Sequence, residues 1–347
     1  MRGTPAQKVG NRLGNELFGL ALLRFTLAQS EIFTFSSPDP KVRDSLVSQV
    51  RSACQTYGFF QITNHGITSE EQEGIFKAAK DFFALPEEEK LKIDLSKNPY
   101  HRGYEKFGAQ MLEPGTMPET KEGLKIGKDL RPDDPDVLRG KFGCGTNPWP
   151  GSLGKEFQTT CMDYHHKMSQ LAITILKILA LGLGLDEDFF EEFCENSNGT
   201  LRFIHYPPSP TTNPKARGIG AHRDFGTVTL LMQDEIGGLQ VLDQESQEWI
   251  DVVPIPGAYV VNLGNLMMRW TNHKFTSNLH RVINKSGRDR YSVPFFFNGD
   301  SDYVFSCLPG CENGRLDSNM LMPMTVAAFV RDQATQSYAR ATEYKAE

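Results

Sequence analysis

Residues 201–206 read LRFIHY, and seven further short apolar runs follow before residue 308. They are TVTLLM (227–232), LQVL (239–242), WIDVV (249–253), YVVNL (259–263), LHRVI (279–283), YSVPFFF (291–297) and YVFSC (303–307). The runs are rich in β-branched and aromatic residues, and turn-forming residues separate them, as is typical of strands. Eight short strands at this spacing predict a β-sandwich or a jelly roll.

Helical patterns dominate the chain before these strands. A long apolar pattern from about residue 153 to residue 183 ends in Gly182 and Gly184, and predicts a supporting helix. Apolar residues recur at helical spacing between residues 42 and 54, and Thr68 with Glu71 forms a capping-box pattern before a second helix. The chain is therefore predicted to be an α+β protein with an N-terminal helical region.

Four regions are expected from these patterns. Residues 1–31 form an N-terminal extension that is expected to be loosely ordered and only faintly resembles a mitochondrial presequence. Residues 32–150 form an N-terminal region of helices, short strands and Gly- and Pro-rich loops. Residues 151–335 contain the supporting helix and the strand-rich core, and residues 336–347 form a C-terminal tail.

Composition limits the classes of partner. Among 347 residues, 37 basic and 43 acidic side chains give a net charge of −6, so no basic field favours nucleic acid or an anionic membrane surface. The most apolar stretch, residues 171–185, contains Lys177 and is shorter than the roughly 20 residues that span a bilayer. Six cysteines without a C-x-x-C pair favour a reducing, cytoplasmic location. No obligatory protein partner is evident.

One pair of residues suggests a metal site. His222 and Asp224 are two positions apart, so their side chains share a face if the chain is extended there. His280 lies in the run 279–283, which could be a neighbouring strand of the same sheet. Two imidazoles and one carboxylate leave several positions of a metal open, an arrangement suited to Fe(II) and oxygen activation. His65, His165, His166 and His273 are interpreted as structural residues.

Arg290 suggests a second component of the site. It leads directly into the run 291–297, with Ser292 on the same strand face. A guanidinium buried in a barrel needs an anionic partner, and a dicarboxylate co-substrate would supply one. An ordinary surface position is the better interpretation for Arg288.

Eight segments, in this order, resemble one known family. They are GFFQITNHG (58–66), HYPP (205–208), HRD (222–224), GLQV (238–241), NLGN (262–265), RWTN (269–272), HRV (280–282) and RYS (290–292). The chain resembles the isopenicillin N synthase-like family of Fe(II)/2-oxoglutarate dioxygenases over about residues 32–335. The resemblance implies that the jelly roll is the double-stranded β-helix of that family.

The resemblance also implies roles for individual residues. The iron ligands, and hence the catalytic residues, would be His222, Asp224 and His280. Binding of the co-substrate 2-oxoglutarate would involve Arg290, Ser292 and Tyr206. Contact with the prime substrate is expected for Phe296 and for Tyr104, because Tyr104 lies in the Gly-rich region that relatives use to frame the pocket. O2 would be the other co-substrate.

Two residues depart from the family pattern. Ile204 stands where many relatives have an asparagine, so one hydrogen bond to the co-substrate would be missing. Asn265 stands where an aspartate is frequent. Neither residue is an expected metal ligand.

The predicted function is hydroxylation or desaturation of a small, mostly apolar organic metabolite, in specialised metabolism by family analogy. Three alternatives use parts of the same site. A 2-oxoglutarate-independent oxidase would keep the three ligands, and a non-catalytic jelly-roll binding protein would need only the pocket. A zinc hydrolase would give Arg290 and Ser292 no role.

Overall fold

The computed structural model describes residues 29–208, 213, 215–316 and 322–343. The expectations for residues 1–28 and for the last four residues lie outside the described residues. In chain order the helices are α1 (Pro40–Thr56), α2 (Ser69–Phe83), α3 (Glu87–Lys92), α4 (Pro135–Leu138), α5 (Gly154–Leu183), α6 (Glu191–Glu195), α7 (Asn265–Trp270) and α8 (Val326–Glu343). Short 3₁₀ turns cover Ile32–Ser36, Leu95–Lys97 and Gly151–Leu153.

Two sheets face each other in the described part of the chain. The strands are β1 (Gln29–Glu31), β2 (Phe59–Thr63), β3 (Gly103–Glu105), β4 (Glu122–Gly127), β5 (Gly199–Tyr206), β6 (Ile219–His222), β7 (Val228–Gln233), β8 (Leu239–Leu242), β9 (Trp249–Asp251), β10 (Tyr259–Leu263), β11 (His280–Val282), β12 (Arg290–Phe297), β13 (Val304–Phe305) and β14 (Met324–Thr325). The major sheet has the order β1-β2-β10-β7-β12-β5-β4-β3, and the minor sheet has the order β6-β11-β8-β9.

The jelly roll consists of four strands from each sheet. The strands β10, β7, β12 and β5 are adjacent in the major sheet, and β6, β11, β8 and β9 form the minor sheet. All pairs among them are antiparallel. Seven of the eight predicted strands correspond to β5, β7, β8, β9, β10, β11 and β12, so the jelly-roll prediction is confirmed.

The eighth predicted strand exists but does not belong to the jelly roll. The run at residues 303–307 yields only β13, which pairs with β14 in a separate two-stranded sheet. The eighth strand of the barrel is β6, which the sequence reasoning missed. Its sequence is Ile-Gly-Ala-His, preceded by Gly218. This segment lacks an apolar alternation, because glycine leaves little side chain to pack.

The N-terminal region extends the major sheet at both ends. One end gains β1 and β2, while β3 and β4 from the Gly-rich region continue the sheet beyond β5. The two regions therefore share one sheet. The expected boundary at residues 335/336 falls inside α8.

The supporting helix α5 covers one face of the major sheet. It runs for 30 residues and ends at Gly184, whose left-handed backbone (φ 79°) is suited to glycine. Its buried apolar residues, such as Ile175 and Leu179, join Val293 and Phe295 of β12 in the main core. By length and composition alone α5 could span a membrane, but half of its apolar window is buried inside the protein. This burial is typical of a core helix.

The two faces of β12 have different surroundings. Alternate residues of a strand point to opposite sides. Val293, Phe295 and Phe297 belong to the core under the helices. Arg290, Ser292 and Phe296 therefore face the minor sheet and the interior of the barrel.

Helix α2 begins with the predicted capping box. The Thr68 side chain accepts a hydrogen bond from the Glu71 amide at 3.3 Å, and the Glu71 carboxylate accepts one from the Thr68 amide at 2.9 Å. The box satisfies two amides that a helix start otherwise leaves unpaired. It fixes the start of a helix whose Ile75 and Phe82 are fully buried.

Removal of this cap should lower stability measurably. Thr68→Ala is expected to reduce the free energy of unfolding by about 1 kcal/mol, because one amide loses its acceptor. Urea denaturation followed by circular dichroism would measure the change. Thr174→Ala, in the middle of α5, is the control and should not destabilise the protein. An equal decrease in the free energy of unfolding in both variants would show that the capping box does not specifically stabilise α2.

Candidate iron and co-substrate site

Three predicted ligands meet at one edge of the minor sheet. His222 is the last residue of β6, and it lies directly opposite His280 of β11 in the antiparallel register. Asp224 follows two residues beyond the end of β6. Its Oδ1 is 3.5 Å from Nε2 of His222 and 3.6 Å from Nε2 of His280. One ligand atom from each residue lies within 4.8 Å of the other two.

Backbone carbonyls orient both imidazoles. His222 Nδ1 is 2.8 Å from the carbonyl of Gly220, and His280 Nδ1 is 3.2 Å from that of Asn278. A carbonyl can only accept, so each Nδ1 carries the proton and each Nε2 presents its lone pair. The ring of Phe59 packs edge-on against His280 at 5.2 Å. Both Nε2 atoms therefore face Asp224 in the tautomer that binds a metal.

Two side chains from the major sheet orient the carboxylate. Thr229 of β7 and Asn262 of β10 each donate a hydrogen bond of 2.6 Å to Oδ2 of Asp224. Oδ1 is thereby left to face the two imidazoles. Such secondary contacts fix ligand geometry and commonly affect metal affinity by about 10–100-fold.

The electrostatics favour the protonation states that a metal requires. Burial opposes ionisation of Asp224, but the charges and hydrogen bonds of His280, His222 and Thr229 outweigh it and hold the pKa of this carboxyl well below its usual range. Burial, reinforced by His222, lowers the pKa of His280 to about 4. The pKa of His222 is raised, because its contacts with Asp224 outweigh burial. A metal would therefore compete with a proton at His222.

Arg290 is the first residue of β12, and its side chain is fully buried. Its Nε donates to the carbonyl of Gly237, and its Nη2 donates to Oε1 of Gln233 at 3.2 Å. Its guanidinium lies 4.6 Å from the centre of the Tyr206 ring. Within the described chain, Nη1 is buried and has no hydrogen-bond partner. The edge of the guanidinium that carries Nη1 is therefore available to donate hydrogen bonds to an anion.

Tyr206 and Ser292 lie next to Arg290. Tyr206 is opposite Arg290 in the register between β5 and β12. It shares a hydrogen bond with Ser292, although burial outweighs that bond and raises the pKa of the phenol. Ile204 is opposite Ser292 and is 2% exposed. It presents only an apolar surface where an asparagine would offer a hydrogen bond.

The two residues expected to contact the prime substrate lie on different faces of the major sheet. Phe296 is half-buried on the interior face, opposite Thr229 in the register, and therefore lies near the ligands. Tyr104 lies on the other face. Its ring belongs to the main core, and its hydroxyl donates to Glu122 at 2.8 Å. This placement argues against the substrate-binding role expected for Tyr104.

Sequence reasoning missed the residues that hold the site in place. Thr229, Asn262 and Gln233 were given no role, although Asn262 lies within a segment that resembles the family. The alternation of side chains along the predicted strands could have identified them, because it points them to the same interior face as Arg290 and Ser292. Among the remaining histidines, His165 contacts the carbonyl of Gly199 at 2.9 Å in the core, as its structural interpretation predicted.

An open cleft lies beside residues 222–224, the segment that contains two of the three ligands. It has a volume of about 630 Å³ and is lined by Arg223, Asn265, Met268, Arg269, His273, Leu316, Met324, Ala328 and Phe329. Arg223 stands between the ligands His222 and Asp224 in the chain. None of the ligand, co-substrate or substrate residues predicted from the sequence is among the residues that line it.

Comparison with known proteins identifies the class. Residues 31–152 match the family model described as non-haem dioxygenase in morphine synthesis N-terminal. Residues 197–299 match the model of the 2OG-Fe(II) oxygenase superfamily. These matches cover the N-terminal region and all eight strands of the jelly roll.

Individual relatives cover nearly the whole chain. A 2-oxoglutarate-Fe(II) type oxidoreductase, hxnY of Emericella nidulans, is 50% identical over 317 residues, which are 90% of this chain and 90% of the relative. A 2-oxoglutarate-Fe(II) type oxidoreductase of Aspergillus fumigatus is 44% identical over 90% of this chain and 94% of its own. The solved structure of a full-length Neurospora crassa protein in complex with alpha-KG has a TM-score of 0.74 at 27% identity, over 88% of this chain and 94% of that one.

The chain therefore belongs to the 2OG-Fe(II) oxygenase superfamily, as its motifs predicted. It is an oxidoreductase that uses Fe(II), 2-oxoglutarate and O2. The residues fit these groups. Two neutral imidazoles and one carboxylate are the donor set of the non-haem Fe(II) oxygenases. The unpartnered Nη1 of Arg290 suits a carboxylate of the co-substrate.

Proposed function

We propose that this enzyme hydroxylates or desaturates a small, mostly apolar organic metabolite, in specialised metabolism. In this proposal His222, Asp224 and His280 hold the iron, while Arg290, Ser292 and Tyr206 hold 2-oxoglutarate. Phe296 contacts the prime substrate. The observation that carries these roles is the pairing of the three convergent ligand atoms with a buried, incompletely satisfied guanidinium.

The residues of the chain provide position and shielding. Thr229 and Asn262 keep one oxygen of Asp224 aimed at the metal. Arg290 grips the distal carboxylate of the co-substrate, so its keto-acid end is directed toward the ligands. When bound, Fe(II) activates oxygen as the co-substrate is oxidatively decarboxylated. Phe296 presents an apolar ring that excludes water beside the reacting carbon.

The partners and location are part of the same proposal. The substrate in this proposal is a small molecule that lies beside Phe296. The net charge of −6 disfavours nucleic acid and anionic membrane surfaces as partners. Free and mostly buried cysteines suit a reducing, cytoplasmic location. No obligatory protein partner is proposed.

A binding experiment without oxygen tests the proposal. Anaerobic addition of Fe(II) and then 2-oxoglutarate is expected to produce the weak visible charge-transfer band of an iron-bound keto acid. Zn(II) in place of Fe(II) is the control and should give no band. If the band is absent although Fe(II) binds, the enzyme does not place 2-oxoglutarate on the metal. A 2-oxoglutarate-independent oxidase would then be the better assignment.

A further inference from the structure

A second group of charged side chains lies on the interior face of the major sheet, where β3 and β4 extend it beyond β5. It consists of Glu105, Glu119, Lys121, Lys125 and Arg202, and is called here the interior charge cluster. Glu105 accepts hydrogen bonds from Lys121 at 2.9 Å and from Arg202, and Glu119 pairs with Lys121 at 3.3 Å. The exposed fraction of these side chains ranges from 0% for Glu105 to 16% for Lys125. Charges are rarely buried this deeply without complete pairing.

The cluster has more positive than negative charge. It contains three basic and two acidic side chains among the described residues, so full ionisation would leave one positive charge unbalanced. Among the described residues, the cluster also contacts two neutral side-chain groups, the amide of Gln110 and the phenol of Tyr338 from α8. The adjacent ion pair of Glu113 and Arg217 is balanced in itself. A buried excess charge is costly unless an anion compensates it.

One donor of the cluster is unsatisfied. The side chain of Arg202 is 9% exposed, and its buried Nε has no hydrogen-bond partner in the described chain. Gly123 of β4 lies beside it, where an added Cβ would be 3.3 Å from this Nε. The glycine thus leaves the Nε group uncovered by a side chain.

The cluster lies next to the candidate iron and co-substrate site. Arg202 lies on the interior face of β5, between Ile204, which is opposite Ser292, and Thr200, which is opposite Phe296. Arg202 is therefore next to the stretch of β12 that joins the co-substrate residues to Phe296.

Glu119 connects the cluster to the metal strand. Its Oε1 accepts a hydrogen bond from the amide of Gly220 at 3.2 Å, and the carbonyl of Gly220 orients His222. The cluster thus borders both the metal ligands and the residue proposed to contact the prime substrate.

We infer that the prime substrate carries a carboxylate, which Lys125 and Arg202 bind on the interior face of the major sheet. This inference rests on the proposed function, and it refines the mostly apolar metabolite to an amphipathic acid with its apolar part near Phe296. The carboxylate balances the excess charge and accepts a hydrogen bond from the free Nε of Arg202. Burial, together with the charges of Arg202 and Lys121, lowers the pKa of Lys125 to about 7. A bound carboxylate favours the charged form of that lysine.

Binding of matched acids and amides tests the inference. The probes are 4-phenylbutyrate, cinnamate and decanoate, each compared with its primary amide by anaerobic isothermal titration into the Fe(II) enzyme with saturating 2-oxoglutarate. At least one acid is expected to bind about tenfold more tightly than its amide, because a charged acceptor strengthens the hydrogen bonds from Lys125 and Arg202. Lys125→Met is expected to remove this preference. Lys128→Met, at an exposed position three residues further on, is the control and should retain it.

The outcomes separate this inference from the proposed function. If the band of iron-bound 2-oxoglutarate forms but no acid binds more tightly than its amide, the carboxylate inference is wrong and the proposed function stands. If Lys125→Met unfolds cooperatively and keeps the full preference, the inference is also wrong. If Lys125→Met does not fold, Arg202→Gln takes its place and is likewise expected to lose the preference for the acid. The comparison of each acid with its amide in the unaltered enzyme tests the inference without any variant. Failure of the band itself overturns the proposed function.

Discussion

Asp224→Ala is expected to lower Fe(II) affinity and succinate formation by more than about 100-fold, beyond the effect of losing a residue that only orients a ligand. The substitution removes the one anionic ligand, whose Oδ1 lies 3.5 and 3.6 Å from the two imidazoles. Two neutral histidines would remain to hold a divalent ion. Anaerobic Fe(II) titration and succinate release after addition of oxygen would measure the two effects.

Controls show whether the metal site itself is responsible. Asp251→Ala removes an exposed carboxylate from β9 of the same minor sheet and should leave both quantities unchanged. Asp224→Asn retains an acceptor for the donors Thr229 and Asn262, so it should fold while still losing iron. Unaltered Fe(II) affinity in both Asp224 variants would show that this carboxylate is not a ligand.

Arg290→Met is expected to raise the concentration of 2-oxoglutarate needed for half-maximal activity by about 100-fold, since truncation of a buried charged partner costs about 3 kcal/mol. Methionine fills much of the space of the stem but carries no charge and no donor. Fe(II) binding should stay close to that of the unaltered enzyme, because Arg290 does not contact the three ligands. Initial rates at varied 2-oxoglutarate would give the comparison.

Arg288 offers a matched control two residues earlier. Its side chain is 65% exposed and lies 3.8 Å from Glu235, so Arg288→Met should change the requirement for 2-oxoglutarate little. Arg290→Lys keeps the charge but loses the planar fork of donors, and an intermediate effect is expected. An Arg290→Met enzyme with an unchanged requirement would remove Arg290 from the co-substrate site.

The parts of the fold that could be predicted have strong local patterns. The runs of apolar residues gave seven jelly-roll strands, and the spacing around residues 153–183 gave α5. The strand β6 could not be predicted, because Gly218 and Gly220 leave it without alternation. Its presence follows from tertiary pairing, in which His222 lies opposite His280. The ligands were nevertheless predicted, because the spacing of His222 and Asp224 and the family-like segments around them and His280 are visible in the sequence without an apolar strand pattern.

Side-chain direction explains the limit for the substrate residues. Tyr104 lies in the region expected to frame a pocket, but the strand β3 that contains it was not predicted. Without a predicted strand, the side of the sheet to which the Tyr104 ring points could not be predicted. In the structure the ring points into the packed core. Its neighbour Glu105 points inward instead and joins the interior charge cluster. Arg202 was likewise not singled out, since the run 201–206 was interpreted only as a strand.

The contacts of Asp224 have a consequence for the cohesion of the barrel. Its Oδ1 faces two histidines of the minor sheet, whereas its Oδ2 is held by Thr229 and Asn262 of the major sheet. A metal ion held by His222, Asp224 and His280 would strengthen the connection that Asp224 already makes between the two layers. Metal binding is accordingly expected to raise the stability of the folded jelly roll, in addition to its part in catalysis.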